Sequence, residues 1–435
     1  HDGTPLTAEA AAWSFHRQMR ADHPGRPPGA LFEYWSSLYQ DIAEVEATGP
    51  LTLQIRLRQP NAALLASLAS FPAHLISPSS PAAERVPRQA IGTGPYRFVS
   101  WSPNQALVLE ANPDYWDRAS SAGFKRLVQK VVPENSVRLL ELKAGNIHGL
   151  DGIQPAELLA LQGDPRFTVH REAGLNLGYL VFNLRQARYQ DPEVRLAFAL
   201  AIDRRQLTRV ALDDAGVPAE CPLPPGFLGY PQALQPLPHD PARARGIVER
   251  HPDAFSTPVR LFVMTAARPY MPDPVKATSF IRSQLEAVGI PVEIVARDFK
   301  THLDTLRNFE FDCAIIGWVG DNGDPDNFLS TFFGSWATEK GSATNYSYYR
   351  SPEMDRLLLA ARRETNRSAR AALYEQAIAL WRQDLPIVPL MHGENIVVLR
   401  REITGFEVQK DGNLRFGGVS WVDGNAPGDG GVQDP

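Results

Sequence analysis

Cysteine is scarce in this sequence, with two residues, Cys221 and Cys313, among 435. Two cysteines do not form a disulfide framework, so we expect no bridge between them, and their number leaves the redox compartment open. Long apolar runs are missing as well, because no stretch approaches the roughly 18 residues of a membrane-spanning helix. Lys and Arg total 44 against 49 Asp and Glu, a net charge of −5, so the basic excess of a dedicated nucleic-acid-binding protein is absent.

The motifs of several enzyme classes are also missing. The sequence contains no His-Glu-x-x-His pair, no Gly-x-Ser-x-Gly turn and no P-loop, and its ten histidines show no metal-ligand spacing. His392 stands alone, and a lone histidine is more often structural. The acidic cluster of Asp321, Asp324 and Asp326 fails the EF-hand pattern, since Gly323 occupies its third position and no glycine follows at the sixth. We therefore predict a protein that is not an enzyme and that needs no metal or cofactor.

What remains is the composition of an ordinary globular protein, with 43% hydrophobic and 21% charged residues. At roughly 150 residues per domain, the length predicts about three domains or lobes. Thr7, Ser136 and Asp191 can each cap a helix, and Gly145 can end the helix after Ser136 in the left-handed conformation. Strict alternation of apolar and polar residues over 51–57 predicts a half-buried strand.

Strand and helix signals alternate from residue 259 onward. We predict strands over 259–265, 292–295 and 311–318, with helices from Pro274 and over 300–307 between them. This βαβαβ order is typical of a doubly wound parallel sheet in an α/β fold. The remaining predicted segments are helices over 352–363 and 369–383, strands over 387–391 and 396–399, and a Gly-rich tail, 424–431, that we expect to be disordered.

Two of the predicted parallel strands run into polar loops. Arg268 follows the strand over 259–265, and Asp321 follows the strand over 311–318. In open α/β sheets, ligands bind beyond the carboxyl ends of the strands, so both side chains would face the same ligand. The arginine suits a carboxylate and the aspartate suits an ammonium group. The pair predicts a zwitterionic ligand, such as a free peptide.

Each of these residues has a simpler interpretation. An arginine after a strand is most often a solvated surface residue. An acidic cluster is often only turn chemistry, because Asn, Asp, Gly and Pro dominate turns. Trp318 is either part of the core or an apolar wall beneath a ligand side chain.

The segment over 317–328, GWVGDNGDPDNF, resembles the corresponding segment of the dipeptide-binding proteins. These are extracytoplasmic receptors of peptide ABC importers, within the larger family of oligopeptide, dipeptide and nickel receptors. Each motif alone is weak evidence, but the ordered set is specific and covers residues 1 to about 420. The further similar segments are HDGTPLT at 1–7, GTGPY at 92–96, LGYL at 177–180, the helix segment 191–204, RPY at 268–270 and GSATNYS at 341–347.

The resemblance implies an α/β fold of two lobes joined by a hinge, periplasmic-binding-protein-like and of the class II type. We expect residues 1–175 to form lobe I with an extra subdomain, residues 176–391 to form lobe II, and residues 392–435 to return to lobe I and end in the Gly-rich tail. Family members carry a leading segment with strands of lobe I ahead of their HDGTPLT-like stretch. We therefore expect that the sequence lacks this segment.

The resemblance also implies roles for individual residues. Asp321 would bind the α-ammonium group of a peptide and Arg268 its α-carboxylate, and the distance between the two would favour dipeptides. Trp318 would form a wall of a side-chain pocket. The other ligand-binding residues implied are Gly320, Asn322, Tyr270, Asn345 and Tyr346.

The function implied is the capture of short peptides, most of all dipeptides, for the membrane permease of an ABC importer. Such a receptor would be a periplasmic monomer that binds no nucleic acid. The same fold could instead bind haem, an antimicrobial peptide, glutathione or a metal chelate, since fold does not determine function. A peptidase using the same cleft is the least favoured alternative. The presence of both Arg268 and Asp321 favours a zwitterionic peptide.

Overall fold

The computed structural model describes residues 1–27, 30, 32–80, 90–161 and 163–422. The tail over 424–431 lies outside these residues. The helices are α1 Ala8–Met19, α2 Glu33–Leu38, α3 Leu64–Leu68, α4 Asn135–Ala144, α5 Pro155–Leu159, α6 Pro192–Ala201, α7 Arg204–Leu212, α8 Pro241–Arg250, α9 Pro274–Ala287, α10 Phe299–Arg307, α11 Asp326–Phe333, α12 Pro352–Arg363 and α13 Arg367–Asp384. The strands are β1 Ile42–Gly49, β2 Thr52–Leu57, β3 Tyr96–Ser102, β4 Ala106–Ala111, β5 Arg126–Lys130, β6 Gly149–Asp151, β7 Phe167–Ala173, β8 Asn176–Phe182, β9 Gly216–Pro218, β10 Val259–Met264, β11 Val292–Arg297, β12 Cys313–Val319, β13 Ile387–Arg400, β14 Ile403–Thr404 and β15 Ser420–Trp421.

The largest sheet has the strand order β11-β10-β12-β8-β13-β6, and β7 and β9 also pair with β13. Strands β11, β10 and β12 are parallel, which confirms the βαβαβ prediction. The prediction of a doubly wound parallel sheet was wrong beyond these three strands, because β8 runs antiparallel to β12 and β13 runs antiparallel to β8. Asn176, the first residue of β8, pairs with Val319, the last residue of β12, so the two strands run in opposite directions.

Strand β13 was predicted as two strands and is one strand of 14 residues. Its first part, 387–391, pairs with β8, and its last part, Glu394–Arg400, pairs with β7. The pairing partner changes at His392 and Gly393. The predicted lobe boundaries at 175/176 and 391/392 coincide with this change and stay a prediction.

The start of β8 lies beside the residues at which β13 changes partners, and we call this place the crossing point. Asn176 and Gly393 join the two strands there. The Asn176 amide donates to the Gly393 carbonyl over 2.8 Å, and the Gly393 N–H donates back to Asn176 Oδ1 over 2.8 Å. A side chain on residue 393 would not fit, since its Cβ would lie 2.0 Å from the carbonyl oxygen of Pro269. The two passages of the chain are therefore packed directly against each other.

The separate cores follow this arrangement. All seven residues of β8 are buried in the main core, which also takes in β10, β12 and the helices around them. A second core lies under β6, β7 and the end of β13, and a third joins α1 to β1 and β2. Cys221 and Cys313 are both buried, and neither forms a disulfide within the described part of the chain. Within the described ranges, no helix has both the length and the apolarity for a membrane crossing.

Most of the local signals that we predicted for helix ends are confirmed. The Thr7 hydroxyl accepts from the Ala10 N–H, and the Asp191 carboxylate accepts from the Glu193 N–H, so both predicted caps are confirmed. The cap at Ser136 was wrong. Helix α4 already includes Asn135, and a capping residue must lie outside the helical conformation. Gly145 ends this helix with φ +85°, as predicted.

Candidate functional site

The segment 320–327, which we call the site loop, begins where β12 ends, at the crossing point. The Gly320 N–H donates to the carbonyl of Leu175, the residue before β8, over 2.6 Å. A Cβ on residue 320 would lie 2.6 Å from the ring of Phe328, so glycine is needed for this close approach. The site loop is therefore anchored to the connection between β7 and β8.

Asn327 organises the start of the site loop. Its Oδ1 accepts from the indole Nε1 of Trp318 over 3.0 Å and from the Asp321 N–H over 3.0 Å. Its Nδ2 donates to Asp321 Oδ2 over 3.0 Å. An asparagine amide supplies both an acceptor and donors, which a carboxylate at this position would not. One buried amide thus orients Trp318 and Asp321 together.

The site loop carries three acidic residues, and two of them are neutralised. Asp324 forms a two-pronged ion pair with Arg370 over 2.7 and 2.8 Å. Asp326 accepts two hydrogen bonds from Arg362 over 3.2 and 3.1 Å. Asp321 is left without a cationic partner among the residues that the structure describes.

The electrostatics of Asp321 follow from its surroundings. Burial raises the pKa of this carboxyl above its usual value, and hydrogen bonds from Asn327 and the Tyr34 side chain oppose the rise. No sequence pattern indicated Tyr34, which lies about 290 residues from Asp321 in the chain.

Arg268 follows β10 in a tight turn, in which its backbone exchanges hydrogen bonds of 3.1 and 2.8 Å with Met271. The guanidinium carbon lies 3.5 Å from the centroid of the Phe299 ring. Its Nε is buried and has no hydrogen-bond partner. Within the described part of the chain, the guanidinium forms no ion pair. Arg268 is therefore a cation at a strand end with no anion beside it.

Tyr270 lies in the protein interior. It is buried, and its hydroxyl lies 3.8 Å from the sulfur of Met264. Its ring covers Gly317 so closely that a Cβ there would lie 2.3 Å from the ring. The structure thus places Tyr270 as packing under the end of β12, and its contact with a ligand stays a prediction.

Asn345 is also fully buried, and its polar groups are already used. Its amide donates to the carbonyls of Gly334 and Tyr349 over 3.2 and 3.0 Å, and its Oδ1 accepts from the Ser347 hydroxyl over 2.6 Å. The neighbouring Tyr346 is buried too. Asn345 therefore fastens its own segment to Gly334, the residue after α11, and to Tyr349. Their predicted contacts with a ligand remain untested.

Asn322, within the site loop, faces the N-terminal part of the chain. Its Oδ1 accepts from the Asp324 N–H over 2.9 Å, and its amide lies 3.5 Å from the Ser67 hydroxyl. Further contacts join the N-terminal part of the chain to the end of α12. The Ala62 N–H donates to the Arg362 carbonyl over 2.7 Å, and Arg363 Nε donates to Gln59 Oε1 over 2.9 Å.

An open cavity of about 490 Å³ lies beside the site loop. Asp321 and Asn322 reach it, whereas Arg268 and Trp318 lie outside its lining. Its other walls come from the end of β7, from α3 and from the segment after β14. The complete lining is Ala66, Ala69, Glu172, Leu175, Asp321, Asn322, Gly323, Glu407, Val408, Gln409, Lys410, Asp411 and Arg415.

Part of the cavity lining is charged. Lys410 lies 3.8 Å from Glu172, and Arg415 lies 3.4 Å from Asp411, so cations and anions alternate there. In the described residues, no group of three His, Cys, Asp or Glu side chains has the arrangement of a metal site. The charged side chains of this lining can bind charged and polar groups of a ligand.

Sequence reasoning missed the arginines that hold the site loop. Arg362 and Arg370 stand on α12 and at the start of α13, about 40 residues beyond the loop. Nothing in the local pattern of these helices distinguishes them from solvated arginines. Only their burial beside Asp326 and Asp324 identifies them.

Known proteins resemble this chain over most of its length. The "Di/tripeptide-binding protein 1" of Pseudomonas aeruginosa is 29% identical over 95% of this chain and 78% of that protein. The "Heme-binding protein A" of Haemophilus influenzae is also 29% identical, over 96% of this chain and 77% of that protein. The structure of the periplasmic binding protein DppA from Helicobacter pylori, in complex with peptide STSA, matches with a TM-score of 0.83 and 27% identity, over 96% of this chain and 82% of that one. The family model of the bacterial extracellular solute-binding proteins, family 5, matches residues 1–340. The chain belongs to this family of solute-binding proteins.

Proposed function

We propose that this protein captures short peptides with free ends, most of all dipeptides, for an ABC importer. The observation that carries the proposal is the charge pattern at the ends of β10 and β12. Asp321 is the acidic residue of the site loop without an arginine partner, and Arg268 is a cation without an anion partner, both within the described residues. Two opposite charges left unpaired at neighbouring strand ends suit a zwitterion.

The physical basis is electrostatic complementarity. The α-ammonium group of the peptide would pair with Asp321, and the α-carboxylate with Arg268. A longer peptide would leave one terminal charge buried without its partner, which costs several kcal/mol. Two fixed charges would therefore select for length, and an affinity of about micromolar, or roughly −8 kcal/mol, is expected.

Side-chain tolerance would come from the surroundings of these two charges. The indole of Trp318, held by Asn327, would form an apolar wall for a peptide side chain. Water retained in an open cavity of about 490 Å³ would adapt to different side chains at little cost. Gly320, Asn322, Tyr270, Asn345 and Tyr346 complete the proposed set of ligand-binding residues.

The remaining parts of the proposal rest on relatives. Related proteins are named as dipeptide-binding proteins and as a probable periplasmic-binding protein of an ABC transporter. By this likeness the protein would act in the periplasm as a monomer, close its lobes by a hinge motion and pass its ligand to a permease. It would bind its ligand without chemical conversion.

Haem is the second candidate ligand. A relative named as a heme-binding protein is 29% identical to this chain, as is the di/tripeptide-binding relative. Haem binding would give an absorbance change on titration. Peptide cleavage during incubation would instead support a peptidase.

Calorimetry with a dipeptide, its N-acetylated form and its C-amidated form tests the proposal. Blocking either end should weaken binding by about 3 kcal/mol, or about 100-fold. Asp321→Asn should weaken the unmodified dipeptide by a similar factor. Asp411→Asn, which removes a carboxylate from the same cavity, serves as the control and should leave the affinity nearly unchanged. Equal affinities for the unmodified and N-acetylated dipeptides would refute the role of Asp321.

A further inference from the structure

Arg268 has one close side-chain neighbour of a distinctive kind. Its guanidinium carbon lies 3.5 Å from the centroid of the Phe299 ring, well within the roughly 6 Å range of cation–π contacts. The buried Nε of Arg268 has no hydrogen-bond partner. An aromatic face is therefore the group that the structure provides for this cation.

Phe299 stands on a fixed part of the fold. It is the first residue of α10, directly after Asp298, whose carboxylate accepts from the Thr301 N–H over 3.0 Å and caps the helix. Further along α10, the buried His302 is hydrogen-bonded to the Ile315 carbonyl of β12 over 3.1 Å. The ring is therefore anchored to the same sheet that presents the site loop.

Arg268 is anchored as well, through the paired backbone hydrogen bonds with Met271. A free arginine side chain has many rotamers, and binding a carboxylate would have to overcome the loss of this rotamer entropy. Stacking on a fixed ring removes part of that freedom in advance. The ring does so without neutralising the charge, whereas an acidic neighbour in its place would compete with an incoming carboxylate.

We propose that Phe299 is a positioning residue for Arg268 and sets the preference for ligands with a free carboxylate end. This inference rests on the proposed function, in which Arg268 binds that carboxylate. The ring holds the guanidinium in one orientation, so that its charge is presented to the cleft before ligand arrives. The consequence is a selectivity between free and amidated peptides that depends on an aromatic side chain at position 299.

Two substitutions separate the ring from its bulk. Phe299→Leu keeps an apolar side chain but removes the aromatic face, and Phe299→Trp keeps the face. Leu303→Ala, which removes a partly buried side chain of the same helix, is the matched control for general loosening of α10. The measurement is the ratio of affinities for a dipeptide and its C-amidated form, obtained by calorimetry, with the melting temperature recorded for each variant.

We expect Phe299→Leu to reduce this ratio about five-fold, through weaker binding of the free dipeptide alone. Phe299→Trp should keep the ratio of the unsubstituted protein, and Leu303→Ala should lower the melting temperature without changing the ratio. An unchanged ratio in Phe299→Leu, or equal losses for both peptides, would overturn the positioning role and leave the proposed function standing. If the unsubstituted protein does not distinguish the two peptides, the carboxylate role of Arg268 fails first, and this inference fails with it.

Discussion

Asn327 donates a hydrogen bond from Nδ2 to Asp321 Oδ2 over 3.0 Å, and its Oδ1 accepts from the N–H of the same aspartate. The two residues form a closed pair in which a buried amide sets the direction of a carboxylate. The other two acidic residues of the site loop point to arginines instead. Among the described residues, the loop therefore has two carboxylates paired with arginines and one, Asp321, that has no cationic partner and that we propose for the ligand.

The protonation of Asp321 predicts how peptide affinity depends on pH. Burial raises the pKa of Asp321 above its usual value of 3.8, and only the ionised form attracts an ammonium group. Affinity for a free dipeptide should therefore fall on acidification at a higher pH than an ordinary aspartate would give. Calorimetry at a series of pH values below 7 should show this fall for the free dipeptide and not for its N-acetylated form. Asp321→Asn should remove the difference, and a parallel fall for both peptides would contradict this explanation.

Gly317 and Gly323 provide a test of the packing under the site. A Cβ on residue 317 would lie 2.3 Å from the Tyr270 ring and 2.5 Å from the Leu177 carbonyl, so Gly317→Ala should displace one of them. Overpacking of this kind costs roughly 1–3 kcal/mol of unfolding free energy. Gly323→Ala is the control, since a Cβ there meets nothing within 4 Å. Guanidinium unfolding of both variants measures the difference, and equal stability of the two would be inconsistent with the packing described.

The ion pair of Asp324 with Arg370 should stabilise the fold far more than a surface pair. Arg370→Met would leave the Asp324 carboxylate buried and unpaired, which costs about 3–5 kcal/mol. The exposed pair of Arg356 with Glu353 has similar geometry at 2.7 Å, and Arg356→Met should cost about 1 kcal/mol or less. Denaturant unfolding of the two variants gives the comparison. Similar losses in both would show that burial does not decide the contribution.

Two buried histidines predict a loss of stability in mild acid. Burial lowers the pKa of both His302 and His392 from 6.5 to about 4. Between pH 6.5 and pH 4 the unfolded chain therefore binds protons that the folded chain does not, so unfolding becomes easier as the pH falls. Each histidine should account for about 3 kcal/mol across this window. Urea unfolding at several pH values should give a shallower dependence for His302→Gln than for the unsubstituted protein. An unchanged slope would mean that His302 is already protonated in the folded state.

Local patterns were sufficient for much of the fold. The caps at Thr7 and Asp191, the left-handed Gly145 and the βαβαβ order all depend on residues close together in sequence. The site loop could be located for the same reason, since a polar segment after an apolar strand places it at the sheet edge. The parallel order of β10 and β12 agrees with the prediction that Arg268 and Asp321 follow neighbouring strand ends.

The sequence by itself thus determined which segments form strands and helices and which loop carries the candidate site. Only the tertiary structure decided that β8 runs antiparallel to β12, that β13 is one strand serving two sets of partners, and which acidic residue of the loop lacks a counter-ion. It also brought Phe299 against Arg268, and Arg362 and Arg370 against the loop. The physical reason is that these features depend on contacts between residues distant in the chain. Periodicity and capping report local backbone preferences, whereas an arginine's partner is decided by what folding brings beside it.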